Sequence, residues 1–178
     1  YAGAGYALLK PNYRGSRNYG NAHRTAIVGD YFTLGFDDIM TGVDHLIEIG
    51  VADPKRVGVT GGSYGGYATL AGVTFTPELY ACAVDYVGVS NIFTWLKGVP
   101  AYWTPFLEMI YEMVGNPETD KELLEEVSPF FHVDRIQVPL LVATADGFPF
   151  VVFFLTPGQG DQDLGLALFE IDPQRNEA

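Results

Sequence analysis

The chain has 178 residues, of which 48% are hydrophobic and 14% aromatic, so it can form one folded domain with a core and is not a disordered chain. Its formal net charge of −12 argues against binding to nucleic acids and to anionic membrane surfaces. The single cysteine, Cys82, lies in an apolar run and is predicted to be a small buried residue. Because one cysteine cannot form an internal disulfide, nothing indicates an oxidising compartment, and the cytoplasm is favoured.

The first third of the chain predicts one strand and one long helix. Residues 5–11 form an apolar run that ends at a proline, which is typical of a buried strand. A turn at 12–16 and a polar loop at 17–30 follow. Residues 35–49 then carry apolar side chains at helical spacing, and Gly50 is expected to end this helix.

The best-defined motif is Gly-x-Ser-x-Gly, formed by Gly61, Ser63 and Gly65. Residues 56–60 before it predict a buried strand, and the small residues after it predict a tightly packed helix. A sharp strand-to-helix turn here is a nucleophile elbow, in which the serine has strained backbone angles and a side chain at either glycine would collide with the backbone. Ser63 is therefore the candidate nucleophile, and the N–H of Tyr64 is the candidate oxyanion donor.

Strands and helices continue to alternate after this motif. Residues 81–87 and 138–143 predict two further strands, with an aromatic loop at 89–104 between them. Two short helices, beginning near Phe106 and Glu118, end at glycine and proline signals. This alternation predicts an α/β fold, with a mostly parallel sheet covered by helices on both faces. Because no Cys/His cluster has metal-ligand spacing and no nucleotide-binding glycine pattern occurs, we expect neither a metal nor a cofactor.

The character of the sequence changes at Gly147. We therefore divide the chain into a partial domain, residues 1–146, and an atypical C-terminal segment, residues 147–178, that is not a separate domain. The apolar run at 148–155 is too short to span a bilayer. We expect it to pack as a strand or a buried segment.

Several motifs occur together, and in order, in one known family. They are Asn-Tyr-Arg-Gly-Ser at 12–16, Asp-Pro-Lys-Arg-Val at 53–57, the turn at 61–67, Gly-Asn-Pro at 115–117, Ser-Pro at 128–129 and Ile-Gln-Val-Pro-Leu-Leu at 136–141. With these motifs, residues 3–145 resemble the catalytic domain of prolyl-oligopeptidase-type serine peptidases, nearest the acylaminoacyl-peptidase branch. The resemblance implies an α/β-hydrolase fold, here incomplete at the N-terminus and atypical at the C-terminus.

The resemblance also implies a reaction and its site residues. Ser63 would form an acyl-enzyme with short peptides or acyl-peptides, which a β-propeller domain usually admits, and the Tyr64 N–H would stabilise the oxyanion. Four aromatic residues would shape the pocket for the residue before the scissile bond: Phe93, Trp95, Tyr102 and Trp103. Ordinary packing explains these four residues equally well, because apolar pockets and cores use the same side chains. The partner would be a peptide substrate, and the sequence does not define an oligomeric state.

The acid and the base of the expected catalytic triad depart from the family pattern. The family places its aspartate where Phe148 stands; Asp146, just before it, is either the acid of a shortened turn or part of an Asp-Gly turn. The family histidine would follow the last residue of this chain. The three histidines present are interpreted as structural or solvated: His23, His45 and His132. The chain is therefore expected to be an inactive or incomplete fragment.

The resemblance also predicts a gap in the sheet. In the family's strand order, one strand lies between the predicted strands at 6–11 and 56–60, and it would come from a segment before Tyr1. The sheet is therefore expected to be incomplete on this side.

Two other functions remain open. An α/β-hydrolase esterase would share the nucleophile turn and would hydrolyse simple esters without cleaving peptides. A degenerate hydrolase domain used for binding would fit the histidines and the unmatched C-terminal segment.

Overall fold

The computed structural model describes residues 2–144, 150–155 and 167–171, and the chain divides into two compact units. Unit 1 comprises residues 1–54 and 93–127, and unit 2 comprises residues 55–92 and 128–178. Among the described residues of unit 1, the buried apolar side chains are Leu96, Ile110, Val114 and Leu124. Unit 2 carries the sheet and the Gly-x-Ser-x-Gly turn.

The described residues of unit 2 form a five-stranded sheet in the order β1-β2-β3-β4-β5. The first three strands are parallel: β1 (Gly58–Gly62), β2 (Cys82–Tyr86) and β3 (Leu140–Ala143). β4 (Phe150–Leu155) runs antiparallel to β3, and β5 (Ala167–Ile171) runs antiparallel to β4. The carboxyl ends of the parallel strands therefore lie at the same end of the sheet, which is where α/β proteins place their sites. β4 also confirms the predicted C-terminal strand over residues 150–155.

Two of the helices are long. α2 (Leu34–Glu48) belongs to unit 1, and α3 (Tyr64–Phe75) belongs to unit 2. The other α-helices are α1 (Asn21–Thr25), α4 (Ile92–Lys97), α5 (Leu107–Val114) and α6 (Lys121–Glu126). Short 3-10 helices cover Ala2–Ala4, Pro77–Leu79, Ala101–Phe106 and Pro129–Arg135. Within the described residues, no helix is long and apolar enough to cross a membrane.

Helix α3 forms the core of unit 2. Its sequence contains no charged residue, eight of its twelve residues are buried, and it packs on β1 and β2. A helix that is apolar on all sides is typical of a core position. Its small residues allow close packing, since a Cβ added at Gly72 would lie 3.0–3.2 Å from the ring of Tyr80. The predicted tightly packed helix is thus confirmed.

In unit 1, the turn at 12–16 is fastened to the start of α2. The Arg14 guanidinium forms an ion pair with Asp38, with 2.8 Å between Nη2 and Oδ1, and the backbone N–H of Arg14 donates to Asp38 Oδ2 at 2.7 Å. The hydrogen bond from the Arg14 side chain lowers the pKa of Asp38 below its ordinary value. A Cβ at Gly35 would lie 3.2 Å from the Tyr13 ring, so a glycine is suited to the place where this turn meets the helix.

The predicted strand at 5–11 is wrong. Residues 6–13 have no regular structure, and the side chains of Tyr6 and Leu8 are 64% and 63% exposed. A strand requires partners for its backbone N–H and C=O groups, and no strand of the described residues pairs with this segment.

The strand before Ser63 was predicted to be buried, and this part of the prediction is also wrong. β1 is the first strand of the sheet and pairs with β2, while its residues alternate between exposed and half-buried. It begins two residues later than predicted, at Gly58. The expectation that the sheet is incomplete on its N-terminal side is confirmed, because β1 is at the edge of the sheet that the described residues form.

Three further predictions need correction. Cys82 is exposed, because its neighbour on β1 is Gly58, whose missing side chain leaves the sulfur uncovered; a Cβ there would lie 3.3 Å from Sγ. The predicted aromatic loop at 89–104 contains α4 and the start of a 3-10 helix, and the polar loop at 17–30 contains α1. Short helical turns of this kind have too few residues to show a periodic pattern.

Ser128 makes a buried hydrogen bond that connects two distant segments of unit 2. Its side chain is fully buried, and its Oγ accepts the backbone N–H of Ile92 at 3.1 Å. Ser128→Ala removes the hydroxyl that accepts the Ile92 N–H. We therefore expect the free energy of unfolding, measured by urea denaturation, to fall by roughly 1–3 kcal/mol. Ser90→Ala is the matched control, since Ser90 is exposed and its carbonyl still accepts the Phe130 N–H after the substitution. Equal losses in the two variants would contradict the assignment.

Candidate active site

Ser63 lies at the sharp turn between β1 and α3. Its backbone angles are φ 55° and ψ −114°, and it is the N-cap residue of α3. A serine with positive φ is strained, because its Cβ crowds the backbone. The structure therefore confirms the predicted conformation of the Gly-x-Ser-x-Gly motif, with the side chain of Ser63 exposed.

Backbone hydrogen bonds fix the turn on both sides. The Ser63 N–H donates to the carbonyl of Tyr86, the last residue of β2, at 3.0 Å. The Ser63 carbonyl accepts the N–H of Tyr67 at 2.9 Å, which is the first hydrogen bond of α3. The serine is thus held between a central strand and the core helix of unit 2.

The two glycines of the motif have different surroundings. A Cβ at Gly61 would collide with the carbonyl group of Gly65 and would lie 2.8 Å from its Cα. A Cβ at Gly65 would meet no described atom within 4 Å, so the predicted collision is correct for Gly61 and wrong for Gly65. The reason is that Gly65 supplies the backbone that approaches Gly61, while its own missing side chain would point elsewhere.

Tyr64 is the first residue of α3. N–H groups in the first turn of a helix point out of its N-terminus, which is a favourable place for an anion. The ring of Tyr64 stacks on the ring of Tyr67, with centroids 5.9 Å apart and an interplanar angle of 22°. This stacking supports the first turn at the residue whose N–H was predicted to face the oxyanion.

Asp85 is a buried aspartate beside the turn at Ser63, and the sequence did not lead to its prediction as a site residue. It lies on β2 directly opposite Gly61, and its side chain is only 1% exposed. Among the described residues, none provides a hydrogen-bond partner for its Oδ1. Burial raises its pKa to about 6, while a hydrogen bond from the Gly88 backbone opposes this shift. A charged residue inside the apolar run 81–87 was the available signal, because aspartate is rarely buried without a partner.

Val87 is a second strained residue beside the turn. Its φ is 50°, a left-handed value that a β-branched residue rarely adopts, and its N–H donates to the carbonyl of Ala143 at 2.8 Å. Residues with positive φ therefore follow the ends of two neighbouring strands, β1 and β2. No local sequence pattern indicates this conformation for valine.

The histidines lie in places that agree with a structural or solvated role. The ring of His132 packs against Phe75, the last residue of α3, with centroids 5.5 Å apart. A helix of twelve residues is about 18 Å long, so this contact is at the opposite end of α3 from Ser63. In unit 1, His23 bonds through Nε2 to the Tyr13 carbonyl at 3.1 Å, and His45 is exposed in the last turn of α2.

The remaining predicted site residues stay predictions. Asp146 lies outside the described residues. Phe93 and Trp95 are half-buried on α4, while Tyr102 and Trp103 are exposed on a 3-10 helix and make an edge-to-face contact at 6.3 Å; all four belong to unit 1. Within the described part of the chain, no group of three or more His, Cys, Asp or Glu residues could hold a metal ion.

A strained serine between a parallel strand and a helix, with its helix packed on the sheet, is the nucleophile turn of the α/β-hydrolase fold. Comparison with solved structures agrees with this class. The chain superimposes on a puromycin-hydrolyzing peptidase of Mycobacterium tuberculosis with a TM-score of 0.67 and 29% identity, over 75% of this chain and 20% of that one. The acylaminoacyl peptidase of Pyrococcus horikoshii gives a TM-score of 0.64 and 27% identity, over 75% and 21% of the two chains.

The sequence comparisons define the family. Residues 1–148 match the prolyl oligopeptidase family, and the chain belongs to it. It is 43% identical over 150 residues to the dipeptidyl aminopeptidase BIII of Pseudoxanthomonas mexicana, which covers 83% of this chain and 22% of that protein. It is 27% identical over 165 residues to an acylamino-acid-releasing enzyme of Arabidopsis thaliana, over 83% and 21% of the two proteins. The chain thus spans about a fifth of the length of these relatives, and the predicted family is confirmed.

Proposed function

We propose that this chain carries the nucleophile of a serine peptidase that hydrolyses short peptides or acyl-peptides through an acyl-enzyme on Ser63. The observation that carries the proposal is the strained backbone of Ser63 at the N-terminus of α3. Such strain is stored where a side chain must be presented in one direction. Membership of a peptidase family and the exposure of the Ser63 side chain support the same role.

The reaction follows from this geometry. Ser63 Oγ attacks the carbonyl carbon of the scissile bond, the new C–O bond forms, and the serine proton passes to a general base. The carbonyl electrons move to the oxygen, where the Tyr64 N–H donates a hydrogen bond to the oxyanion. The intermediate collapses with cleavage of the C–N bond, and the protonated base returns its proton to the leaving amine. Water then releases the acyl group by the same steps.

The names of the relatives support a short substrate. They describe a dipeptidyl aminopeptidase, an acylamino-acid-releasing enzyme and a puromycin-hydrolyzing peptidase, and these names refer to a dipeptide, an acylated amino acid and puromycin. For this protein we infer that a side chain before the scissile bond enters an apolar pocket. Four aromatic residues would line it: Phe93, Trp95, Tyr102 and Trp103.

The 178-residue chain alone is proposed to be catalytically incomplete. His132 packs against Phe75 at the far end of α3, and His23 is bonded through Nε2 to the Tyr13 carbonyl. The base would therefore come from a longer gene product, with Asp146 as the carboxylate that orients it. Without its base, a serine is a poor nucleophile.

Labelling with a fluorophosphonate probe tests this proposal. We expect the longer gene product to be labelled at Ser63 and to cleave peptide p-nitroanilides, and Ser63→Ala to lower kcat by a factor on the order of 10⁶. The 178-residue chain should be labelled at least about a hundredfold more slowly, because the base is missing. Asp146→Asn in the longer product should also lower kcat strongly, whereas Asp134→Asn, an exposed control, should not.

Each alternative function has its own result in this experiment. Hydrolysis of p-nitrophenyl esters without peptide cleavage by the longer product would replace the peptidase by an esterase. A longer product that is folded but neither labelled nor active would show a degenerate domain. Full activity of Asp146→Asn would make this residue part of a turn.

A further inference from the structure

The carboxyl group of Asp85 lies where three backbone segments meet. A Cβ added at Gly66, in the first turn of α3, would collide with Asp85 Oδ1 and would lie 2.5 Å from the Cα of Gly88. A Cβ added at Gly88 would likewise collide with Oδ1 and would lie 2.6 Å from the carbonyl carbon of Gly66. The helix turn after Ser63 and the turn after β2 are therefore packed backbone to backbone, with the carboxyl group of Asp85 against both.

Asp85 is attached to a rigid part of unit 2. Its strand, β2, is paired on one side with β1 and on the other with β3, where Asp85 lies opposite Val142. The next residue, Tyr86, accepts the N–H of Ser63, and the strained Val87 is tied to β3 through Ala143. The segment from Asp85 to Gly88 thus contacts the nucleophile turn at its beginning and at its first helical turn.

We propose that Asp85 is a positioning residue for the nucleophile turn, in which its carboxyl group acts as a strut between β2 and the first turn of α3 at Gly66. The proposal rests on the proposed function of Ser63. By fixing Gly66, the strut fixes the direction of the N-terminal N–H groups of α3, including that of Tyr64, relative to the Ser63 side chain. The reacting groups themselves do not touch Asp85.

Stability alone does not account for an aspartate at this position. A buried acceptor that lacks a hydrogen bond costs roughly 1–3 kcal/mol, and Oδ1 of Asp85 receives none from the part of the chain that the structure describes. The described elements beside β2 contain no charged residue that would compensate: β1, β3 and α3 are entirely uncharged. The destabilising buried carboxyl group of Asp85 lies next to two strained residues, Ser63 and Val87. Such a combination is typical of a site at which geometry is selected over stability.

Amide hydrogen exchange of the chain measures this positioning without any reaction. The informative amides are those of Ser63, which donates to Tyr86, and of Tyr67, which donates to Ser63. In Asp85→Ala the strut is lost, and we expect both amides to exchange at least tenfold faster relative to the amides of β2. Asp85→Asn keeps the shape of the side chain, so the exchange of these two amides relative to the amides of β2 should stay within about threefold of the wild-type ratio.

Val73→Ala separates positioning from general loss of stability. Val73 is fully buried near the far end of α3, so its truncation destabilises the same helix without touching the first turn. We expect no selective change at Ser63 and Tyr67 in this variant. Unchanged exchange in Asp85→Ala, or an equal effect of Asp85→Asn or Val73→Ala, would overturn the proposal. Because exchange needs no catalysis, absence of labelling at Ser63 would refute the peptidase function and leave this result intact.

Discussion

Gly61→Ala is expected to disrupt the turn between β1 and α3 that carries Ser63. The added methyl group would enter the backbone of Gly65, where its nearest neighbours are the carbonyl carbon and oxygen and a Cα at 2.8 Å. Backbone cannot move aside as a flexible side chain can, so either the β1–α3 turn or the first turn of the helix must shift. We expect the free energy of unfolding, measured by urea denaturation of the chain, to fall by at least about 2 kcal/mol.

Gly62→Ala is the matched control for this substitution. Gly62 is the next residue of the same strand, and neither Gly61 nor Gly62 has a positive φ. A Cβ at Gly62 would lie 3.4 Å from Cδ1 and 3.6 Å from the carbonyl oxygen of Tyr86, which are ordinary contacts. Its stability should therefore remain within about 0.5 kcal/mol of the wild type. A Gly61→Ala variant as stable as Gly62→Ala would show that the close approach of Gly61 and Gly65 does not constrain the turn.

The features that the sequence predicted correctly depend on residues close together in the chain. The strained turn at Ser63 could be predicted because its glycine neighbours and the following small residues of α3 determine the turn locally. The alternation of strands and helices likewise predicted the parallel strands β2 and β3. Their boundaries shifted by one or two residues, because strand ends depend on pairing with neighbours.

The features that were missed depend on contacts between distant segments. The apolar run at 5–11 predicted a strand, but apolar residues favour burial without supplying a hydrogen-bonding partner. Cys82 is exposed because of the glycine opposite it on β1, which only the strand register reveals. The cluster of Asp85, Gly66 and Gly88 also requires the register, because α3 and β2 are separate in sequence and meet only in the fold.

The buried carboxyl group of Asp85 is expected to make the stability of the chain depend on pH. Its pKa is raised from the ordinary value of 3.8 to about 6, mainly because burial disfavours the charged form. Below pH 3.8 the group is protonated in both the folded and the unfolded state, so its burial does not reduce the free energy of unfolding. As the pH rises through about 6, the folded state must bury a charge, and the free energy of unfolding therefore falls. The shift corresponds to roughly 3 kcal/mol.

Asp85→Asn isolates this effect from the titration of the other carboxylates. The amide stays neutral at every pH and has the same shape, so the variant should gain stability over the wild type by roughly 2–3 kcal/mol between pH 4 and pH 7.5 in urea denaturation. Asp134→Asn, an exposed aspartate of unit 2, should show no such pH-dependent gain. A difference between Asp85→Asn and the wild type that stays constant over this range would mean that Asp85 is charged at no cost in the folded state, and therefore that its Oδ1 has a partner.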